Sequence, residues 1–344
     1  MDETSPLSAA DKGRIKMKVC VIGDCGGHIG SIFDSRRAEL EYAGAAVSGE
    51  GESMENFLRL AKGKGYDIPL YSDWRRMLCE EKPDIVAVDT VFSRHAQVSC
   101  FALEQGIHVY TEKPAATDLD SLDRLEQTLQ NGKARLFSMF TARYEPWFYT
   151  AKRLIEAGAV GEVRMLTGQK SYKLGRRPDF FKKRETYGGT AAWVAIHSID
   201  QILWLSGRNC VDVFCRQSAA GNQGHGELEA SVLISLGLAG DCMAQVNADY
   251  LRPETAPSHG DDRIRVAGTS GVLEVRAAQV YLINRENDGR SPCPLRPTEP
   301  IFDGFLRMLE GEEDSLFTDC DGIRAARVAL AARESGDSGR IIRL

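Results

Sequence analysis

The first half of the sequence alternates short apolar runs with helix-like segments, and this alternation constrains the fold more than any other feature. The runs at 18–23, 84–88 and 107–111 have the length of single strands, and 84–88 is apolar almost throughout. Strands of this kind are typical of a parallel sheet whose two faces are both covered. Because helix patterns separate them, we predict a right-handed doubly wound α/β sheet.

A second pattern begins beyond residue 134, where longer segments of alternating polarity, such as 230–238 and 242–250, are joined by glycine-rich connections. Such alternation predicts strands with one buried face. The 344 residues also exceed what one hydrophobic core supports, since single cores stop growing at roughly 250–300 residues. We therefore predict a disordered polar leader at 1–16, an α/β domain at 17–140 and a second, sheet-rich domain at 141–344.

A glycine-rich turn follows the first strand and precedes a helix-like stretch at 29–40. Its glycines are Gly23, Gly26, Gly27 and Gly30. Such a turn lets the backbone approach a pyrophosphate, because the free N–H groups at a helix start favour an anion. The spacing departs from the regular GxGxxG pattern, in which Cys25 and His28 would be glycines. The turn alone therefore does not establish a dinucleotide site.

The second strand ends in Ser48-Gly49-Glu50, where an NAD enzyme usually carries an acid that holds the ribose 2′-hydroxyl. Ser48 occupies that place, and Glu50 or Glu52 is close enough in sequence to serve instead. No arginine is adjacent in sequence to read the extra phosphate of NADP. This segment therefore leaves the choice between NAD and NADP open.

The strand that ends at Thr111 is followed directly by Glu112, Lys113 and Pro114. This order places a lysine at the carboxyl end of a parallel strand, which is where open α/β sheets bind their ligands. Lys113 is therefore the first catalytic candidate.

The triplet Glu112-Lys113-Pro114 resembles the hallmark of the Gfo/Idh/MocA oxidoreductase family, in which it follows a Rossmann strand. Further segments match in family order: Thr90 with His95, 106–109, Arg143-Tyr144 with Pro146, 158–163, Gly188-Gly189 with His197 and Asp200, and 268–271. The resemblance implies an N-terminal Rossmann domain and a C-terminal α+β domain with a large, open, mostly antiparallel sheet. It also implies a homodimer or homotetramer formed through the exposed sheet face.

The resemblance also implies hydride transfer between a nicotinamide cofactor, NAD or NADP, and a hydroxyl or keto carbon. In that chemistry Lys113 hydrogen-bonds the reacting oxygen and His197 removes or returns its proton. The residues expected to bind the cofactor are Gly23, Gly26, Gly27, His28, Ile29, Ser48, Thr90, His95, Glu112 and Lys113. Those expected to bind the substrate are Arg143, Tyr172, Lys173, Arg176, Tyr187, Trp193 and His197.

Trp193 is the position at which this sequence departs from the family pattern. Family members commonly carry an aspartate four residues before the histidine, one helical turn away, where a carboxylate orients the imidazole. Without that acid, His197 must work with Lys113, Tyr187 or a water molecule, or dehydrogenase chemistry is lost. We expect Trp193 to line the same cleft as His197.

A basic run also stands out, with seven lysines and arginines between residues 170 and 184 and one aspartate. One reading is a solvated loop or a subunit contact, because charge runs usually lie on the surface. The other is that Lys173, Arg176 or Arg177 steers an anionic substrate such as a sugar acid, or cofactor phosphates. In the second reading Tyr172 and Tyr187 flank the sugar.

Charge and composition argue against several classes of partner. A net charge of −6 and a pI near 5.7 disfavour nucleic-acid binding, and no apolar run approaches the roughly 20 residues that cross a bilayer. Nine scattered cysteines without a CxxC pair indicate free thiols in a reducing compartment. The cluster from His259 to Asp262 has poor ligand geometry, so no metal is expected. We expect a cytoplasmic protein without nucleic-acid or membrane partners.

The function that these features favour is NAD(P)-dependent oxidation or reduction of a cyclitol, sugar or sugar acid. One alternative within the same fold is a glycosidase that uses bound NAD transiently to cleave glycosidic bonds. Another is a dinucleotide-binding sensor without turnover, which the departure at Trp193 favours. Net reduction of NAD by free polyols distinguishes the first function from both alternatives.

Overall fold

The computed structural model describes residues 15–312 and 316–344. The leader expected at 1–16 lies outside the described residues except for its last two, which begin the first strand. None of the helices in the described ranges is long and apolar enough to cross a membrane.

The first half folds into a six-stranded sheet in the order β3-β2-β1-β4-β5-β6, with every neighbouring pair parallel. This is the strand order of a Rossmann fold, whose direction switches between β1 and β4. The strands are β1 (Ile15–Ile22), β2 (Ala38–Ala46), β3 (Leu70–Tyr71), β4 (Ile85–Val88), β5 (His108–Thr111) and β6 (Leu136–Ser138). All four residues of β4 are buried, as the apolar run predicts.

Four α-helices accompany these strands: α1 (Glu55–Gly63), α2 (Trp74–Glu81), α3 (His95–Glu104) and α4 (Leu119–Asn131). The prediction of a helix at 29–40 is wrong, because only a short 3-10 segment forms there, at Ile29–Asp34. The chain leaves that segment at Ser35, whose hydroxyl donates to Asp303 at 2.6 Å, and the N–H of Arg36 donates to the same carboxylate. A contact with a residue far along the chain therefore ends the helical turn early.

The second sheet has eight strands in the order β13-β12-β11-β7-β10-β9-β8-β14. Only β7 and β10 pair in parallel, and all other neighbours are antiparallel. The strands are β7 (Val163–Lys173), β8 (Cys210–Ser218), β9 (Ser231–Leu238), β10 (Cys242–Arg252), β11 (Gly260–Gly268), β12 (Val272–Arg276), β13 (Gln279–Ile283) and β14 (Ile342–Arg343). The predicted fold class, a Rossmann sheet followed by a mostly antiparallel sheet, is confirmed.

Three of the described helices contact this second sheet: α5 (Pro146–Glu156), α7 (Ile196–Ser206) and α9 (Asp319–Ser338). The other described helices of this half are α6 (Arg184–Tyr187) and α8 (Ile301–Glu310), and α8 packs on the 3-10 segment at Ile29–Asp34 of the first domain. A π-helical turn at Ala191–Ala195 runs directly into α7, and α7 packs so closely on β7 that a side chain at Gly168 would lie 3.1 Å from Ser198. Polar contacts also join α8 and α9 to the first domain, since Asp303 binds Ser35 and Asp319 accepts from the N–H of Leu136 at 2.9 Å.

Candidate active site

The carboxyl ends of β1, β4 and β5 bring three loops into contact at the switch point of the first sheet. A Cβ atom at Gly26 would lie 2.8 Å from the carboxylate of Asp89 and 3.0 Å from the side chain of Glu112. These residues belong to the loops after β1, β4 and β5 respectively. In open α/β sheets this crevice is where ligands bind.

The glycine turn is held in a conformation that its glycines make possible. Gly23 has a φ of 81°, and a Cβ there would lie 2.5 Å from the backbone oxygen of Asp89. Gly27 has a φ of 75°, and no atom lies within 4 Å of its Cβ position, so the space in front of it is open. The structure thus provides a turn that a ligand can approach closely.

The carboxylate of Asp89 accepts hydrogen bonds from the backbone N–H groups of this turn. The N–H of Gly26 donates to it at 2.7 Å and the N–H of Gly27 at 3.1 Å. The side chain is fully buried, and burial together with the nearby carboxylate of Glu112 raises the pKa of Asp89 well above its ordinary value. The sequence showed only a polar residue at the end of a strand and gave no sign of this contact.

Lys113 lies at the carboxyl end of β5 and is 1% exposed. Its Nζ is 3.1 Å from the carboxylate of Glu112, but the contact lacks hydrogen-bond geometry and the amine has no hydrogen-bond partner among the described residues. Burial lowers the pKa of Lys113 to about 8, although the charge of Glu112 opposes this shift. The amine is therefore close to its titration midpoint near neutral pH.

Glu112 is the buried partner of that lysine. Burial acts to raise its pKa, but the charges of Lys113 and His28 outweigh burial and lower it to about 2. His28 is half exposed, with its Nδ1 3.4 Å from the carboxylate. Glu112 therefore remains an anion between the glycine turn and Lys113.

His197 lies on α7 and is 4% exposed. Neither ring nitrogen has a hydrogen-bond partner within the part of the chain that the structure describes. Burial, followed by the charges of Lys170 and Lys113, lowers the pKa of His197 well below its ordinary value. His197 is therefore a neutral imidazole near pH 7 with both nitrogens available to a ligand.

Trp193 covers Lys113 with its indole ring. The Nζ of Lys113 lies 2.8 Å from the ring centroid. The ring of Phe92 stacks on the indole, with the two ring centroids 4.1 Å apart and an interplanar angle of 17°. The indole edge also reaches the turn, 3.3 Å from the Cβ position of Gly26. The resemblance implies an aspartate at this position. Here a buried cation–π contact between Lys113 and Trp193 takes its place.

Lys170 is a site residue that the sequence showed only as one member of the basic run. It is 7% exposed, pairs with the carboxylate of Asp262 and lies 5.0 Å from the ring of Tyr172. Its charge acts on the pKa values of both Lys113 and His197, which places the three side chains in one neighbourhood. The alternation of β7, in which residues 166, 168 and 170 are buried, was the signal that could have identified it.

Lys170 and Tyr172 also line a cavity of about 610 Å³. Its other charged lining residues are Glu145, Arg252, Asp261, Asp262, Arg263 and Arg276. The cavity offers donors and acceptors in similar numbers, which suits a ligand with many hydroxyl groups.

The loop after β2 is tied to the loop after β4. Ser48 donates both its N–H and its hydroxyl to Glu52, each at 2.6 Å. Arg94 donates to the same carboxylate at 3.1 Å and to the backbone oxygen of Glu50 at 3.2 Å. An arginine thus lies beside Ser48 in space although none does in sequence.

The remaining cofactor candidates are packing residues of these loops. His95 is fully buried, and its ring nitrogens contact the backbone oxygens of Pro114 at 2.8 Å and Thr90 at 3.0 Å. Thr90 and Ile29 are fully buried as well. His95 therefore links the loops after β4 and β5 and holds the crevice in shape.

Three of the substrate candidates have other partners, and a fourth lines a separate groove. The guanidinium of Arg143 is 2% exposed and binds Asp200, Asp321 and the backbone oxygen of Leu316, so the structure does not support substrate binding by Arg143. The hydroxyl of Tyr187 is buried between Tyr250 at 2.8 Å and Thr190 at 3.2 Å. Lys173 donates to the backbone oxygen of Glu254 at 2.8 Å, and Arg176 lines a separate surface groove of about 980 Å³.

The strand order defines a dinucleotide-binding fold of the Rossmann class, with Lys113 at the edge of the sheet where such folds bind their ligands. The family model for the NAD-binding Rossmann fold of the oxidoreductase family matches residues 18–140, and the GFO/IDH/MocA C-terminal domain matches residues 148–274. The chain therefore belongs to the Gfo/Idh/MocA family and is an NAD-binding oxidoreductase of the dehydrogenase type.

Known relatives agree with this assignment. Myo-inositol 2-dehydrogenase of Thermotoga maritima is 23% identical over 95% of this chain and 98% of its own length. A solved oxidoreductase structure, also from Thermotoga maritima, is 40% identical with a TM-score of 0.91 over 95% of this chain and 100% of its own. Levoglucosan dehydrogenase, solved in complex with NADH, is 18% identical with a TM-score of 0.78 over 95% of this chain and 99% of its own, and it shares the fold.

The residues of the crevice fit a nicotinamide dinucleotide with one exception. Gly23 and Gly27 provide the close-approach turn, and Ser48 and Glu52 lie at the end of β2. Lys113 and His197 carry buried polar atoms that have no hydrogen-bond partner within residues 15–312 and 316–344. The exception is the pair of N–H groups at Gly26 and Gly27, because Asp89 already engages both.

Proposed function

We propose that this protein interconverts a hydroxyl and a keto group on a cyclitol, sugar or sugar acid, with NAD as the cofactor. The observation that carries the proposal is that the buried amine of Lys113 and the buried imidazole of His197 both lack hydrogen-bond partners among the described residues. Trp193, whose ring covers Lys113, lies one helical turn before His197, and the charge of Lys170, which lines the polar cavity, acts on both groups. The names of the inositol 2-dehydrogenase relatives support a polyol.

The pair of Lys170 and Asp262 is suited to holding such a substrate. Asp262 uses one oxygen to bind Lys170, while its buried Oδ1 has no hydrogen-bond partner in the described residues. A polyol hydroxyl both donates and accepts, so it satisfies an ammonium and a carboxylate at once. We propose that this pair binds hydroxyl groups next to the reacting carbon.

NAD supplies the hydride acceptor when it is bound, so a C–OH group loses a hydride from carbon and a proton from oxygen. We propose that Lys113 handles the proton. In oxidation its neutral amine accepts the hydroxyl proton, and in reduction its ammonium returns one to the developing alkoxide. A group with a pKa of about 8 suits both directions near neutral pH.

His197 then positions the hydroxyl rather than taking its proton. The imidazole lacks the carboxylate that would stabilise its protonated form, and its pKa lies well below the ordinary value. A neutral imidazole still donates one hydrogen bond and accepts another. This division of roles differs from the expectation in which His197 is the base.

The choice of NAD rests on Glu52. Its side chain is fully buried, accepts from Ser48 and pairs with Arg94. Because Glu52 and the backbone oxygen of Glu50 already engage Arg94, this arginine is not offered to a ribose 2′-phosphate, whereas a 2′-hydroxyl can donate to the Glu52 carboxylate. We further place the protein in the cytoplasm, which its nine free cysteines support.

A screen of polyols and sugar acids with NAD and with NADP tests the function directly. Formation of reduced cofactor with a free polyol supports the dehydrogenase. Cleavage of a glycoside without net reduction, or cofactor binding without any turnover, would contradict it and favour one of the two alternative functions.

The rate of oxidation is expected to rise with pH through a midpoint near 8. The neutral form of Lys113 is the base, and because its pKa is lowered to about 8, this form accumulates above that pH. The measurement is kcat/KM against pH for the wild type and for His197→Gln. His197→Gln should be slower yet keep the limb near pH 8, whereas loss of that limb would make His197 the base.

We also propose that the open face of the second sheet pairs with a second copy of the chain. Met165 and Met243 are cross-strand partners at the centre of the sheet and are 42% and 60% exposed. Leu233 and Leu251 are exposed in strands β9 and β10. Apolar side chains that stand together on a sheet face are typical of subunit contacts.

Met243→Glu is expected to convert the wild-type oligomer into a monomer of 37.9 kDa, because a charge at the centre of the contact cannot be desolvated. Multi-angle light scattering measures the mass. Leu295→Glu, at an exposed leucine outside the strands, is the control that should leave the mass unchanged. A wild type that is already monomeric would contradict the proposal.

A further inference from the structure

The carboxylate of Asp89 is placed where this turn would offer its donors to a phosphate. Backbone N–H groups in a glycine turn bind the phosphates of dinucleotides. Here the N–H groups of Gly26 and Gly27 both donate to Asp89, at 2.7 and 3.1 Å. The side chain is fully buried.

The surroundings make this contact strong. Both side-chain oxygens of Asp89 are engaged, one by each N–H group, so two hydrogen bonds must break before the turn is released. The backbone at Asp89 is fixed independently, because its N–H donates to Ile22 at 2.8 Å and its oxygen accepts from Cys25 at 2.8 Å. Only rotation of the side chain can release the two N–H groups.

Other acids lie at the same turn. The charges of Glu112 and Asp24 both act on Asp89. Asp24 is partly buried, and burial raises its pKa to about 6. A diphosphate that approached Gly26 and Gly27 would meet these negative charges in addition to the engaged donors.

We propose that Asp89 is an internal competitor for the cofactor diphosphate, so that dinucleotide binds only when the Asp89 carboxylate leaves the N–H groups of Gly26 and Gly27. The open space in front of Gly27 is the side from which the diphosphate enters. Asp89 thereby weakens cofactor binding in this chain. The inference rests on the proposed function only in requiring that this crevice binds a dinucleotide.

The test is the affinity of the cofactor-free protein for NAD, for ADP-ribose and for adenosine, measured by isothermal titration calorimetry. Asp89→Asn keeps the size of the side chain but replaces one of its two acceptor oxygens with an NH₂ donor, so only one of the two N–H groups can still be bound. It should bind NAD and ADP-ribose at least about tenfold more tightly, equivalent to about 1.4 kcal/mol. Adenosine, which has no phosphate, should bind equally to both proteins.

Asp24→Asn is the matched control, because it makes the same replacement at another acid of the same turn without freeing the two N–H groups. We expect its affinity for ADP-ribose to change less than threefold. An equal gain in Asp24→Asn and Asp89→Asn would overturn the proposal, since charge alone would then explain the effect. An unchanged or weaker affinity in Asp89→Asn would overturn it as well.

Asp89→Ser is the second variant if Asp89→Asn does not fold, as judged by circular dichroism and thermal melting, and the same outcomes apply to it. Failure of every protein to bind ADP-ribose would overturn this inference. Tighter binding without polyol oxidation would instead uphold it while rejecting the proposed function, so the two failures are distinguishable.

Discussion

Replacing Lys113 with alanine is expected to lower kcat by at least about a hundredfold, since loss of general acid–base help costs 10²–10⁴-fold. The amine is the group that exchanges the proton in the proposed reaction, and it is buried without a hydrogen-bond partner in the described residues. Affinity for NAD should change less than threefold, because the lysine acts on the substrate oxygen. Steady-state kinetics and calorimetric titration with NAD measure the two effects separately.

The variant also leaves Glu112 buried without its cation, and an unpaired buried charge destabilises a protein. Lys113→Arg controls for this, because it keeps the positive charge but cannot lose a proton near neutral pH. Lys113→Arg should lose activity, and its kcat/KM should no longer rise with pH through a midpoint near 8. Lys133→Ala, at an exposed lysine, should behave as the wild type. Retention of more than about a tenth of kcat by Lys113→Ala would remove Lys113 from the chemistry.

The position of Lys113 could be predicted because it depends on local pattern. The apolar run of β4 and the run that ends at Thr111 identify parallel strands, and a residue directly after such a strand lies at the ligand edge of the sheet. The alternating segments of β9 and β10 likewise indicated the second sheet, because each strand has one buried face. Short-range periodicity is sufficient for features of this kind.

The residues that the sequence did not predict depend on contacts between distant segments. Asp89 binds N–H groups that lie 63 and 62 positions earlier in the chain. Arg94 reaches Glu50 from a loop 44 positions later. The early end of the 3-10 segment depends on Asp303. No local pattern encodes such pairings, because they arise only when separate loops meet at one edge of a sheet.

Trp193 falls between these two cases. From its position in the family motif we predict that it lines the same cleft as His197. In the structure its side chain lies against Lys113, Phe92 and the glycine turn. The chemical consequence could not be predicted. The ring shields the amine from water, which is consistent with a lysine whose pKa is lowered by burial.

Replacing Arg143 with methionine is expected to lower the free energy of unfolding by about 3–5 kcal/mol, the usual cost of removing one partner of a buried ion pair. The side chain is 2% exposed and ties three segments together. Its Nε donates to Asp200 on α7 at 3.0 Å, and its Nη1 donates to Asp321 on α9 at 3.0 Å and to the oxygen of Leu316 at 2.7 Å. Methionine leaves the buried carboxylate of Asp200 without its paired cation, while Asp321 keeps Arg324 as a cationic partner at 3.6 Å.

Chemical denaturation measures this loss, and two further variants show whether the buried pair is its cause. Arg153→Met removes a surface arginine that pairs with Glu156 and is 49% exposed, so it should cost less than about 1 kcal/mol. Adding Asp200→Asn to Arg143→Met should recover part of the stability, because the unpaired charge is removed. If Arg143 instead binds the substrate, Arg143→Met will raise KM while the denaturation midpoint stays at the wild-type value, and the structural role assigned to this arginine will be wrong.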